Sequence, residues 1–342
     1  MCLLMWVHSD RVNAYAGKEK MKVTVIIPNY QGKDYIRPCL DSLRAQQDVL
    51  LSILVVDNAS TDGSLEIIRQ EYPEVKVMAL PENTGFCHAV NVGIQEADTP
   101  YVLLLNNDTV TRPGFVMALL ERIESDKRIF SVSSMMLSMQ DTSRIDDAGD
   151  RYNALGWAFA RGKGQPMERY QKPARIFAAC GGASLYRRET VLSLGGFDEN
   201  HFAYLEDIDI GYRALIQGWR NVYEPRAQVL HAGSAASGSR YNAFKVKLSS
   251  ANNAYMIGKN MPFFQLLLNL PLLLLGFCIK TAFFAKKKMG MLYVKVYAEG
   301  IARCFRSVGK SHKVRFEWRN LGHYCRIQGI LWLDLVRIFI KS

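Results

Sequence analysis

The 342-residue chain contains no CxxC pair: its seven cysteines (Cys2, Cys39, Cys87, Cys180, Cys278, Cys304 and Cys325) are odd in number and scattered. This excludes a secreted disulfide framework and a structural zinc site, and it reads as a reducing compartment. No signal peptide is expected either. The opening apolar patch covers only Cys2 to Val7, lacks a basic start, and runs straight into His8, Ser9, Asp10 and Arg11. Residues 1–21 therefore read as an extension outside the fold. No GxGxxG follows the first strand-like run, and the single Gly-Lys-Ser, at Gly309 to Ser311, has Cys304 where a P-loop needs glycine. Dinucleotide enzymes and P-loop ATPases are thereby disfavoured. Internal repeats and low-complexity segments are missing. With 49% hydrophobic and 22% charged residues, disordered, collagen-like and polytopic membrane chains are excluded, and a globular chain remains.

Acidic residues are scarce in the last third. Residues 240–342 hold 18 Lys+Arg against Glu299, Glu317 and Asp334, a net of +15, which leaves −4 for the preceding 239 residues. A slightly acidic domain followed by a basic, apolar-rich tail marks a change of partner along the chain.

Lys22 to Pro28 and Ser52 to Asp57 are short β-branched runs that read as buried parallel strands, as do Val75 to Leu80 and Tyr101 to Asn106. Amphipathic stretches at 34–46, 64–72 and 86–97 lie between them. The alternation implies a doubly wound α/β sheet, in which ligands sit beyond the carboxyl ends of the strands. The residues there are Pro28-Asn29-Tyr30, Asp57 to Gly63, Asn83 to Phe86 and Asn106 to Thr109. Each group alone also reads as turn or helix-cap chemistry; their convergence on one sheet edge is what points to a site.

Five segments, VTVIIPNYQGKDYIRPCLDSL, VVDNASTDGS, NTGFCHAVNVGI, LLLNNDT and GGFDENHFAYLEDIDIGYRA, together resemble the motif series of family 2 glycosyltransferases, in their order and at their usual spacing over about 22–260. The bacterial rhamnosyltransferase-like branch is the most similar. The resemblance implies a GT-A fold, with a mixed, Rossmann-like doubly wound sheet, and an inverting transfer from a nucleotide-diphosphate sugar. It places a catalytic domain at 22–240, its nucleotide-sugar half at 22–110 and its acceptor half at 111–240. The tail at 241–342 then becomes a helical, membrane-associating extension.

A departing nucleoside diphosphate gathers negative charge that a divalent cation can stabilise, and one carboxylate is often enough protein ligation for Mg2+ or Mn2+. Asp108 is the candidate. The family's DxD motif is here Asn106-Asn107-Asp108, so metal affinity without substrate should be weak and metal-independent action stays open. His231, in Val229 to Gly233, matches the family's later histidine that can complete the metal site; a structural role is the alternative. By resemblance Asp57 accepts from a uracil or thymine base, with a helix cap as the alternative. Pro28 and Tyr30 flank that base. Asn83, Gly85 and Phe86 contact the nucleotide or sugar, with Gly85 permitting close approach.

Glu206 and Asp207 open a predicted helix running to about Gln217. Acids in a first helical turn are favoured by the dipole whatever their function. With Asp209 they also crowd like charges, which raises a pKa and suits a base. By resemblance Asp207 is that base and Glu206 orients the acceptor. Gly181 to Ser184 and Gly195 to Asp198 are expected to shape the acceptor side or to be plain turns.

Residues 262–285 are mostly Leu and Phe, long enough to span a bilayer. A single crossing would export a tail of +10, against the positive-inside bias. A helix or re-entrant hairpin on the cytoplasmic face, with Lys and Arg on anionic lipid, fits better than a span; a soluble helical subdomain is the alternative. No helix-turn-helix, zinc or RNA-binding signature points to nucleic acid. The expected partners are a dTDP- or UDP-linked sugar, a lipid-linked glycan acceptor and the membrane surface. A sugar nucleotidyltransferase, or a non-catalytic membrane or glycan-binding protein, are the other classes.

Overall fold

The computed structural model describes residues 22–47, 49–233 and 242–339. The extension read at 1–21 and the boundary at 240/241 lie outside the described residues.

The four expected strands are β1 (Lys22–Asn29), β2 (Leu50–Asp57), β3 (Lys76–Ala79) and β4 (Tyr101–Leu105), separated by α1 (Ile36–Arg44), α2 (Ser64–Glu71) and α3 (Gly85–Glu96). β1 is parallel to β2 and β4, and β2 to β3. There follow β5 (Thr109–Thr111), α4 (Phe115–Glu124), β6 (Ile129–Ser138), β7 (Ile145–Asp147), β8 (Asp150–Tyr152), β9 (Ala158–Ala160), β10 (Ala174–Ile176), β11 (Ala183–Arg187), α5 (Arg188–Ser193), α6 (Glu206–Ile216) and β12 (Arg220–His231). The strand order is β10-β12-β6-β11-β4-β1-β2-β3, with β11 antiparallel to both β4 and β6. This is the mixed, doubly wound sheet expected.

The period of two along β1 divides the core. Val23, Val25 and Ile27 pack with α1, α2 and α4 through Ile36, Leu40, Ile67, Phe115 and Leu119. Ile26 faces the other way, toward Val90 and Ile94 of α3 and Ile210 and Ala214 of α6. Side chains pointing alternately up and down require a layer on each face. In α1 the buried Ile36, Cys39, Leu40 and Leu43 follow helical spacing, so one stripe meets the sheet.

Among the described residues five α-helices follow: α7 (Ala243–Asn260), α8 (Phe263–Lys286), α9 (Gly290–Phe305), α10 (Ser307–His312) and α11 (Leu321–Phe339). They are joined to the sheet domain by a core in which Tyr152, Phe177, Ile208 and Tyr212 meet Met256, Ile257, Leu273, Tyr324 and Ile327. The tail is thus packed on the domain, not tethered to it.

α8 buries Gln265, Asn269, Leu273, Gly276 and Phe284, one stripe along its whole length. Tyr212 Oη donates to Gln265 Oε1 at 2.8 Å, and Asn269 exchanges hydrogen bonds of 2.7 and 2.8 Å with Gln328 of α11. The polar residues of this apolar helix therefore face inward. Phe263, Leu267, Leu268, Leu274 and Leu275 face outward and are more than half exposed. By length and hydropathy α8 is the one helix among the described residues that could cross a membrane.

Candidate active site

Pairing of short strands, invisible in sequence, assembles the first half of the site. β5 runs antiparallel to β12 with Thr109 opposite His231, and Ala232 N donates to Asp108 O at 3.0 Å. This sets His231 Nε2 3.3 Å from Asp108 Oδ1. On the far side of the ring Nδ1 lies 2.7 Å from Asp146 Oδ2, and Lys163 Nζ lies 2.6 Å from Asp146 Oδ1. Burial alone would lower the pKa of His231, but hydrogen bonds to Asp108 and Asp146 outweigh it and raise it to about 9. Burial likewise works to raise Asp146, yet His231 and Lys163 bring it down to about 2. A carboxylate holding Nδ1 so that Nε2 points at a second carboxylate is a usual arrangement around a metal-binding histidine. A carboxylate and an imidazole also suit a divalent ion that takes its remaining ligands from water and phosphate. The pair fits such an ion.

Amides build the floor. Asn107 Nδ2 donates to Asn29 Oδ1 at 2.8 Å, and Asn29 Nδ2 donates to Asp57 Oδ1 at 2.7 Å and to Ser64 Oγ at 2.9 Å. Asp57 Oδ2 accepts from Ser60 N at 2.9 Å. Asp57 is buried and does not line the cleft. It anchors Asn29 and, through Asn29, Asn107 of the loop that carries Asp108. Gly85, at φ +88°, does permit a close approach, but the space is filled by Phe202: a Cβ there would lie 2.6 Å from its ring and from its carbonyl oxygen.

The second half lies at the start of α6. Glu206 and Asp207 follow Leu205, whose φ is +68°. Asp207 Oδ1 accepts from Ile208 N at 2.7 Å, and Glu206 Oε2 is buried without a hydrogen-bond partner. Burial, then the charge of Asp207, raises Glu206 to about 8. Burial also raises Asp207, partly offset by hydrogen bonds from Asp150 and from backbone amides. Asp150 itself is pushed well up by burial and by Asp147 and Asp207, and burial lifts Asp147 to about 7. The ionisation of Asp207 and that of Asp150 thus bear on each other.

The charge of Asp209 adds to the rise of Glu206, but its carboxylate is paired elsewhere. It points the other way, 2.9 Å from Arg213 and 2.7 Å from Lys259. Although burial opposes it, these cations hold its pKa far below the usual range. Further like charges near Asp207 come from Asp147 of β7 and Asp150 of β8. Gly181 and Gly182 line the cleft, whereas Gly195 to Asp198 do not; Gly196 O accepts from Arg213 and Asp198 from Lys259.

One cleft of about 990 Å³ unites the two halves. Pro28, Tyr30, Asn83, Gly85, Phe86, Asn106, Asn107, Asp108, Glu206, Asp207 and His231 all line it, whereas Asp57, Asp209 and Gly195 to Asp198 do not. Asp146, Asp150 and Lys163 also line it and were missed. Their one signal was three acids in five residues around Gly149, which reads as an ordinary solvated turn until β7 is known to pair with β6 beside β12.

A mixed sheet of this order, with Asp108, His231, Glu206 and Asp207 gathered in one cleft, has the GT-A architecture. The chain belongs to glycosyl transferase family 2, whose sequence model matches residues 24–194. It is 28% identical over 239 residues, 63% of this chain and 77% of the relative, to the N-acetylglucosaminyl-diphospho-decaprenol L-rhamnosyltransferase of Mycobacterium tuberculosis. Its fold is similar to GalNAc-T7 with UDP, GalNAc and Mn2+ (TM-score 0.57, 17% identity, 71% of this chain and 48% of that one). It is also similar to the mannosyltransferase of Pyrobaculum calidifontis in complex with GDP-Man and Mn2+ (TM-score 0.51, 17% identity, 98% and 95%). The protein is an inverting, nucleotide-sugar-dependent glycosyltransferase.

Proposed function

We propose that the enzyme moves a sugar, rhamnose by analogy with its mycobacterial relative, from a dTDP- or UDP-linked donor to a lipid-linked glycan at the cytoplasmic face of the membrane. The observation that carries this reading is that the Asp108–His231 pair and the Glu206–Asp207 pair open into the same cleft.

In this reading Asp108 and His231 hold Mg2+ or Mn2+, which when bound offsets charge on the leaving nucleoside diphosphate. Asp146 fixes the tautomer and direction of His231. Pro28, Tyr30, Asn83 and Phe86 contact the nucleotide or sugar. Asp207 takes the proton of the acceptor hydroxyl as it attacks opposite the leaving group, and its raised pKa suits that work near neutral pH. Glu206, mostly protonated at pH 7, donates to a neighbouring acceptor oxygen and orients it.

The outward apolar face of α8, followed by Lys286, Lys287 and Lys288, supports a peripheral seat on anionic lipid. Attachment of α8 to α6 and α11 through Gln265 and Asn269, and to α9 through Phe277 and Phe284, argues for lying in the interface over crossing it.

The test is to incubate membranes bearing the protein with dTDP- and UDP-sugars and follow nucleoside diphosphate release. One donor should be consumed, only with Mg2+ or Mn2+ present. Consumption undiminished in EDTA would remove the metal from the mechanism.

A further inference from the structure

The loop that delivers Glu206 and Asp207 is bent as its residues do not favour. Phe202, Tyr204 and Leu205 have φ of 60°, 71° and 68°, a region that side-chain-bearing residues avoid. Three such residues in four keep that shape only where their surroundings impose it.

The imposing groups come from the C-terminal helices. Asn252 of α7, fully buried, shares the two N–H groups of Nδ2 among the carbonyl oxygens of His201 at 2.8 Å, Ala203 at 2.9 Å and Tyr204 at 2.9 Å. Its Oδ1 accepts from Arg303 of α9 at 3.1 Å, and the same Arg303 nitrogen donates to Asn200 O at 2.8 Å. One amide thus clasps the loop, and one guanidinium orients the amide.

The rest of that face of α7 acts on the same region. Asn253 accepts from Tyr152 Oη at 2.9 Å, on the strand that begins with Asp150. Lys259 sits 2.7 Å from both Asp198 and Asp209, and Asn260 donates to Asp209 at 2.8 Å. Asp198, His201 and Asp209 lie close enough together to hold a metal, but the Lys259 ammonium already supplies the positive charge. Burying four polar side chains in one helix is costly unless each is paired. Here the partners, Arg303 aside, belong to segments that carry or flank an acid of the cleft or of the Asp198–Asp209 cluster. α7 lies beyond the 24–194 matched to the family.

We propose that Asn252 is a positioning residue of the transfer reaction: its three hydrogen bonds set the backbone that aims Asp207 at the acceptor hydroxyl. The C-terminal helices then complete the active site as well as seating the enzyme on lipid. This inference rests on Asp207 being the base.

The experiment compares full-length Asn252→Ala, Asn252→Asp and Asp207→Asn for kcat, KM of both substrates and nucleoside diphosphate binding. Asn252→Ala is expected to lower kcat at least tenfold at saturating donor and acceptor while nucleoside diphosphate affinity stays within twofold of the parent. Asn252→Asp keeps the shape but turns acceptor oxygens toward three carbonyls, and should do no better. Arg303→Lys, at a partly buried position, should give a smaller loss of the same kind. A kcat within twofold of the parent in Asn252→Ala, or a loss matched by an equal loss of nucleotide-binding sites, overturns the inference. Full turnover in Asp207→Asn would instead remove the base on which it rests.

Discussion

Asp207 and Glu206 are neighbours with different proposed tasks, and substitution should separate them. Asp207→Asn is expected to cost about 10²–10⁴-fold in kcat, the usual worth of a positioned general base, as measured by transfer at saturating substrates. Glu206 reports on stability. Its folded pKa of about 8 lies above its ordinary 4.5, so the folded state binds the extra proton between those values and loses stability as pH rises through them. The slope is at most about 1.4 kcal/mol per pH unit for one proton. Glu206→Gln should therefore lose less Tm than the parent between pH 5 and pH 8; an equal loss would contradict the burial argument. Asp146→Asn should weaken Mn2+ binding about 10–100-fold, the usual cost of losing a carboxylate that orients a metal-bound histidine, as read by titration. Asp108, His231, Glu206 and Asp207 were legible in sequence because they stand in motif order. Asp146 and Asp150 were not, since an acid beside a turn glycine resembles any solvated turn. Asp57 and Asp209 were legible as polar, but their partners, Asn29 on one side and Lys259 on the other, are known only from packing.

Among the elements, β1 to β4 and the helices between them could be read from β-branched runs and apolar stripes, with ends within two residues or so. The three-residue strands could not: β5 and β7 carry too few residues for a period to show, and pairing with β12 and β6 defines them. α8 was legible as long and apolar, but its inward face was not, because only the fold sets Tyr212 and Gln328 opposite Gln265 and Asn269. Its outward face makes a prediction at the same scale. Each leucine seated in lipid contributes roughly 1 kcal/mol or more, so Leu267→Ser with Leu274→Ser should weaken binding to anionic vesicles about tenfold or more while leaving Tm nearly unchanged. Unaltered sedimentation with vesicles would mean that this face is not the membrane contact.

For the molecule as a whole, the sheet brings strand ends together, β12 returns to set a histidine beside Asp108, and the C-terminal helices hold the acid loop from behind. The composition break near residue 240 marks a change of outer surface. It does not mark a separable unit, because the core joining Tyr212, Met256 and Tyr324 crosses it. The central claim is that a metal-holding end and a base end serve one reaction in one cleft. Its most direct test measures nucleoside diphosphate binding and sugar transfer side by side in Asp108→Asn and Asp207→Asn. The account predicts that Asp108→Asn loses Mn2+-dependent nucleotide affinity and transfer together, while Asp207→Asn binds nucleotide like the parent yet transfers at least a hundredfold more slowly. Transfer at parental rates in both would contradict it.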